Sequence, residues 1–217
     1  MHRNQHGPGM ATVAMLLAAL VSWPTAGLAQ PGRPSPPAPS PSTSTLTGQA
    51  TAVQATVLGI LGTATTTTLC ATGTLAGPND ARDASQLTGN VLLLLGAETL
   101  QADTIGWPDE VDSEASLAGL NLTVAGIPIS TGFVRSSAVA VAGAPGSGSS
   151  EIDSLTIGGV PVAVTGAPNQ TIAIPGGQLV INEQTISSTG TVVVNALHMT
   201  VNGIADVVVA SATAGIS

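Results

Sequence analysis

Short runs of Val, Ile, Thr and Ala, cut at close intervals by glycine-containing dipeptides, fill the chain from Leu46 to Ser217. Runs of this length, rich in β-branched residues and bounded by turn residues, predict strands joined by tight turns. Three hairpins stand out. Met199-Thr200-Val201-Asn202-Gly203-Ile204 places Asn-Gly between β-formers, as a type I′ turn requires. Leu155 to Val162 repeats the pattern with Gly158-Gly159, and Leu122 to Ile129 with Ala125-Gly126. Ala125 suits positive φ poorly, so a bulged turn is expected there.

Two-residue loops fix the cross-strand pairs. Ile157 then pairs with Val160 and Pro161 opposes Thr156, with Pro128 in the same register opposite Thr123. A proline at such a position discourages a further strand, which predicts a sheet edge. In the last hairpin the same counting pairs Val201 with Ile204, Met199 with Asp206 and His198 with Val207. It therefore puts His198 and Asp206 on opposite faces.

Upstream, Leu46 to Leu75 alternates Thr and Gln with apolar residues and reads as two or three strands broken at Gly59, Gly62 and Gly73. Ala81 to Gln86 is expected to form one helical turn capped by Asn79 or Asp80. Val91 to Leu95 reads as a strand buried on both faces, with Leu100 to Ile105 as its partner. Trp107 to Glu114 is expected as an acidic loop and Ala142 to Ser150 as a mobile Gly/Ser loop. The hairpin motif recurs after 33 and then 44 residues, at Leu122, Leu155 and Met199. A solenoid would hold its period. The expected fold is all-β, an antiparallel β-sandwich of hairpin-connected strands, with a β-helix or solenoid as the alternative.

Composition divides the chain before Leu46. Residues 1–29 have the form of a secretory signal peptide. Arg3 lies near the start, Met10 to Val21 carries no charge, and Gly27 and Ala29 are small residues before a cut at Gln30. The apolar run is shorter than the ~20 residues that span a bilayer, so no transmembrane segment is expected in the mature chain. Residues 30–45 are expected to form a Pro/Ser-rich disordered linker, with six prolines between Pro31 and Thr45, a tether reaching about 45 Å. Residues 46–217 are expected to form a single β-rich domain.

After cleavage three arginines face twelve acids, a charge of −9, and the chain contains no lysine. That excludes electrostatic binding to nucleic acid or anionic membranes as a main activity. Only Trp107 and Phe133 remain as aromatics, so the core must be aliphatic. Few aromatics also argue against sugar-binding platforms and the girdles of an outer-membrane barrel. The single cysteine, Cys70, has no intramolecular partner and is expected as a small buried strand residue.

The end of the chain, LTIGGVPVAVTGAPNQTIAIPGGQLVINEQ followed by VVVNALHMTVNGIADVVVASATAGI, resembles the choice-of-anchor P family of bacterial exported proteins. The likeness extends more loosely through LLLLGAETLQADTI and SEASLAGLNLTVAGIPI. It implies an exported β-rich domain and supplies no catalytic residues. No LPxTG-like motif or hydrophobic tail follows Ser217, so covalent anchoring is not expected.

Candidate chemistry is sparse. His198 is the one histidine outside the first 29 residues and is expected to be structural. One His and one Cys do not make a zinc site. Asp109, Glu110, Asp112 and Glu114 are the densest acids and the candidate Ca²⁺ ligands, although the EF-hand glycine is missing and a solvated loop is the favoured reading. No catalytic residue and no cofactor site is assigned. The expected function is a secreted or cell-surface domain with a structural or adhesion-like role toward envelope or extracellular proteins or polymers. The alternative is an extracellular hydrolase acting on envelope polymers or glycans.

Overall fold

A computed structural model describes residues 44–217 apart from 60, 61 and 92. The expected signal peptide and most of the linker lie outside the described residues. Among the described residues thirteen strands make two antiparallel sheets. The first holds, in spatial order, β10 (Gln170–Ile174), β11 (Gly177–Ile186), β12 (Val192–Val201), β13 (Ala205–Ile216), β1 (Leu46–Leu58) and β2 (Ala64–Ala71). The second runs β3 (Ala81–Val91), β4 (Leu95–Gly106), β5 (Glu110–Val124), β6 (Ile127–Val141), β8 (Thr156–Ile157) and β9 (Val160–Pro161), and β7 (Ser147–Asp153) also pairs with β6. The sheets face each other over an aliphatic core, as in a β-sandwich, with Leu100, Leu117, Leu120, Ile181, Leu197 and Met199 among its fully buried side chains.

Two expected hairpin registers hold. Ile157 pairs with Val160 and Thr156 with Pro161 at the sheet edge, while Thr123 faces Pro128. Other expectations are corrected. Val124 pairs directly with Ile127, so Ala125 (φ 49°) and Gly126 (φ 78°) form an unbulged two-residue turn that accepts a left-handed alanine. Residues Ala81 to Gln86 are strand, not helix: their backbone pairs with β4 from Ala81↔Ile105 to Gln86↔Leu100. The run from Val91 to Leu95 is not one buried strand: Val91 ends β3, Leu95 opens β4, and Leu93 between them is a left-handed turn residue (φ 60°). The stretch from Trp107 to Glu114 is only half loop, because β5 begins at Glu110. Likewise β7 claims Ser147 to Ser150 of the expected Gly/Ser loop.

The last hairpin differs most. Val201 pairs with Ala205, leaving three loop residues, and only Gly203 (φ 68°) among them is left-handed. Ile204 donates its N–H to the Val201 carbonyl at 3.0 Å, and its own carbonyl is taken by Leu58 N–H at 2.9 Å. That outside contact claims Ile204 for the turn and shifts the register by one residue.

A transverse crease crosses the first sheet. Asn182, Ala196, Ala210, Ala52 and Cys70 lie in one row on β11, β12, β13, β1 and β2, each skipped by the regular pairing on either side. Asn182, Ala210 and Cys70, on alternate strands, are left-handed (φ 52°, 50° and 53°). A residue out of the extended conformation breaks the two-residue side-chain period. Two consecutive residues therefore point into the core: Ala52-Val53, Ala196-Leu197 and Val209-Ala210. The second sheet has the complementary defect. Its buried positions step by three, from Ala97 to Leu100, Leu117 to Leu120 and Thr131 to Val134, so the doublets there face outward.

Candidate functional site

The crease and the shifted register together assemble a polar cluster that sequence counting disperses. Along β12, Asn195 and His198 are three residues apart, a spacing that a regular strand would put on opposite faces. Because Ala196 and Leu197 both turn inward, Asn195 and His198 both turn outward. On β11 the buried Ile181-Asn182 pair brings Glu183 to the same outer face, opposite Asn195. On β13 the three-residue turn pairs Thr200 with Asp206 and His198 with Val208. Asp206 is thus the diagonal neighbour of His198 on one face, which corrects the expectation that the two point apart.

The imidazole lies between two carboxylates. Nδ1 is 2.9 Å from Glu183 Oε2, and Nε2 is 3.4 Å from Asp206 Oδ2. Asn195 Nδ2 also donates to Glu183 Oε2 at 2.6 Å. The His198 side chain is 23% exposed and that of Asp206 53%, so the Asp206 side of the cluster faces water. Burial pulls the His198 pKa down, but the hydrogen bonds and charges of Glu183, and then of Asp206, outweigh it and hold the pKa above its ordinary value. In chemical terms this is an imidazole on β12 held between two carboxylates, one from β11 and one from β13. A shallow depression of about 250 Å³, lined in part by Thr56, Leu58, Thr200 and Asp206, adjoins the cluster.

The four candidate calcium ligands do not form a cage. Asp109 lies in the β4–β5 turn, with its carbonyl accepting the Ala142 N–H, and Glu110 opens β5. Asp112 and Glu114 follow on the outer face of β5, two residues apart, and so stand about 7 Å apart along the strand. Glu114 reaches Arg135 at 3.7 Å. The same face sets Asp83, Asp103 and Glu114 directly opposite one another across β3, β4 and β5. Burial, together with the charges of Asp112 and Asp83, raises the Asp103 carboxyl. Burial raises Asp112, and burial raises Glu114 against the pull of Arg135. Among the described residues no three His, Cys, Asp or Glu side chains converge to hold a metal ion, and no helix is long and apolar enough to cross a membrane.

Cys70 is half-buried rather than enclosed. Its Sγ lies 3.2 Å from the Ala84 carbonyl, where β2 of one sheet passes β3 of the other, and burial raises its pKa.

The architecture is that of a two-layer antiparallel β-sandwich with a polar cluster on an open sheet face. No family model matches the chain, and neither a curated protein nor a solved structure does.

Proposed function

We propose that this chain is an exported β-sandwich domain with a structural or adhesion-like role at the cell surface or outside it, held on its Pro/Ser-rich tether, and that it is not an enzyme. The resemblance to the choice-of-anchor P family supports export. One observation supports the non-catalytic part most directly: the way His198 is used. A histidine that activates a hydroxyl must present a free ring nitrogen to it. Here Nδ1 and Nε2 both face carboxylates, and among the described residues no hydroxyl is hydrogen-bonded to the ring. The cluster ties β11, β12 and β13 together as a clasp.

The rival, an extracellular hydrolase, draws on the same three residues. It would have to recruit a water or hydroxyl from the solvent side of Asp206. The test is expression in a bacterial host. The mature chain is expected outside the cytoplasm with its N-terminus near Gln30, and it should be inert toward peptidoglycan, glycan and ester substrates. Turnover that is lost in a folded His198→Ala variant would overturn the non-enzyme reading. Cytosolic recovery with Met1 intact would overturn export.

A further inference from the structure

Only one asparagine in the chain is followed by glycine, and it lies in the turn between β12 and β13. That turn is anchored on both sides of the Asn202-Gly203 peptide. Asn202 gives its backbone N–H to the Gly176 carbonyl at 2.9 Å, and Ile204 gives its N–H to the Val201 carbonyl at 3.0 Å. The Leu58 N–H then takes the Ile204 carbonyl at 2.9 Å. Among the described residues, no partner meets the Gly203 N–H or the Asn202 side-chain amide. Both residues are exposed. The two groups of the turn that stay in water are therefore the two that can react with each other. Elsewhere a side chain on the following residue would crowd the carboxamide carbon; glycine has none. A Cβ placed on Gly203 would meet nothing within 4 Å, so the approach is open from outside as well.

We propose that Asn202 is a self-modification site, deamidated by its own backbone to aspartate and isoaspartate. The Gly203 nitrogen, its proton lost to hydroxide, forms a bond to Asn202 Cγ. The Cγ–Nδ2 bond breaks, ammonia leaves and a five-membered succinimide remains. Water then opens the ring, at Cγ to give aspartate or at the backbone carbonyl to give isoaspartate. One water is consumed and one ammonia released, and nothing is oxidised or reduced. The other asparagines lack this combination. Asn169 is also an exposed turn residue, but its Oδ1 accepts the Gln184 N–H at 2.9 Å and Gln170 follows it. Asn182 is buried with Nδ2 on the Gly166 carbonyl, and Asn195 donates to Glu183. Asn121 donates to the Gly119 carbonyl and precedes the branched Leu122.

The position gives the modification its effect. Asn202 and Asp206 line the same depression beside the His198 cluster, so either product sets a second carboxylate on that rim. The mature chain then carries one negative charge beyond its −9. Isoaspartate also adds a backbone methylene between Val201 and Ile204, whose hydrogen bond closes the turn. The Leu58 contact that sets the β12–β13 register hangs on the same residue, Ile204, and loosens with it.

The experiment is peptide mapping by mass spectrometry of the purified chain, aged in neutral and in alkaline buffer. It depends neither on export nor on the non-enzyme reading. In the folded protein the peptide containing Asn202 is expected to gain one mass unit as ammonia is released. The gain should be faster in alkaline buffer, because the attacking nitrogen must lose its proton. Part of the product should accept a methyl group from an isoaspartyl methyltransferase. Gly203→Asn keeps a residue that tolerates the left-handed turn but puts a side chain beside the reacting carbon, and should slow the gain severalfold. Asn202→Gln would have to close a six-membered ring, and should abolish the gain over the same period. The proposal is overturned if the folded chain keeps the mass of this peptide, whatever the chain does in urea. It is equally overturned if another asparagine reacts first, or if a folded Gly203→Asn reacts as fast as the wild type. Should Gly203→Asn fail to fold, Asn202→Gln decides: undiminished ammonia release from that variant overturns the assignment.

Discussion

His198 makes the stability of this domain depend on pH in a direction that the structure fixes. Its pKa lies above the ordinary value because Glu183 and Asp206 favour the imidazolium more than burial opposes it. The folded chain therefore holds a proton that the unfolded chain releases near pH 6.5, and stability falls as pH rises through the folded pKa. The contribution is complete below the unfolded value and gone above the folded one. Its size follows from the partners. The 2.9 Å contact with Glu183 is a charge-assisted hydrogen bond, worth about 1.5–3 kcal/mol. Asp206, at 3.4 Å and half exposed, counts as a surface pair of about 0–1 kcal/mol. Desolvation of the ring subtracts from both, leaving about 1–2 kcal/mol. For a domain of this length that corresponds to roughly 2–8 °C in Tm. Urea unfolding of the wild type and His198→Gln, which stays neutral but keeps a donor toward Glu183, isolates the charge. The wild-type advantage should be about 1–2 kcal/mol near pH 6 and should shrink toward zero by about pH 9. A difference that stays constant across that range, or widens with pH, would refute the clasp.

Three further substitutions test other parts of the structure. Asp103→Asn removes the middle acid of the Asp83–Asp103–Glu114 row; because the folded Asp103 pKa is raised, its ionisation costs stability as pH climbs. The variant should gain a few tenths of a kcal/mol at neutral pH in thermal unfolding, with the gain fading below about pH 4 and in high salt. Gly148→Ala would drive a Cβ into Val194 Cγ2 and the Ser137 carbonyl where β7 of the second sheet packs against β12 of the first. It should cost about 1–3 kcal/mol in urea unfolding, without changing the strand signal of the far-UV spectrum. Ala125→Asn, at the left-handed first position of the β5–β6 turn, should add about 0.5–1 kcal/mol to the unfolding free energy.

Much of the fold was legible because turn chemistry is local. Gly158-Gly159 reports its own hairpin, and Pro161 marks an edge since a missing N–H tolerates no new neighbour. The cluster around His198 was not legible, for two physical reasons. Asn202-Gly203 has the residues of a two-residue turn, yet the Leu58 N–H binds the Ile204 carbonyl and draws a third residue into the loop. Counting from the dipeptide therefore placed Asp206 one step off. The second reason is the crease: alternation predicts faces only while the backbone stays extended, and no local residue preference announces a left-handed Ala210. Leu93 hid in a similar way, since four consecutive leucines look like buried strand when one of them is an exposed apex. The helical turn expected at Ala81 to Gln86 failed because the cap signal at Asn79-Asp80 belongs to a turn. There Asp80 Oδ2 accepts the Ala76 N–H and the Arg82 Nε–H instead of starting a helix.

The crease also accounts for the small residues of the core. Where two consecutive side chains point inward, they compete for space that normally holds one, and overpacking costs as much as a void. The sequence resolves the conflict in the same way on three adjacent strands: one member of each doublet is alanine and the other a larger aliphatic, in Ala52-Val53, Ala196-Leu197 and Val209-Ala210. On β13 the order is reversed because the strands run antiparallel, so Ala196, Ala210 and Ala52 line up in one row across the sheet and Leu197, Val209 and Val53 in the next. An aromatic ring has no place in such a layer, which agrees with a domain that uses only Trp107 and Phe133 and buries neither fully. The left-handed Ala210 is itself fully buried, so its backbone cost of about 1–2 kcal/mol must be met by packing around it. That cost has a return in geometry. Without the inward doublet on β12, Asn195 and His198 would face opposite ways and Glu183 could not bond both.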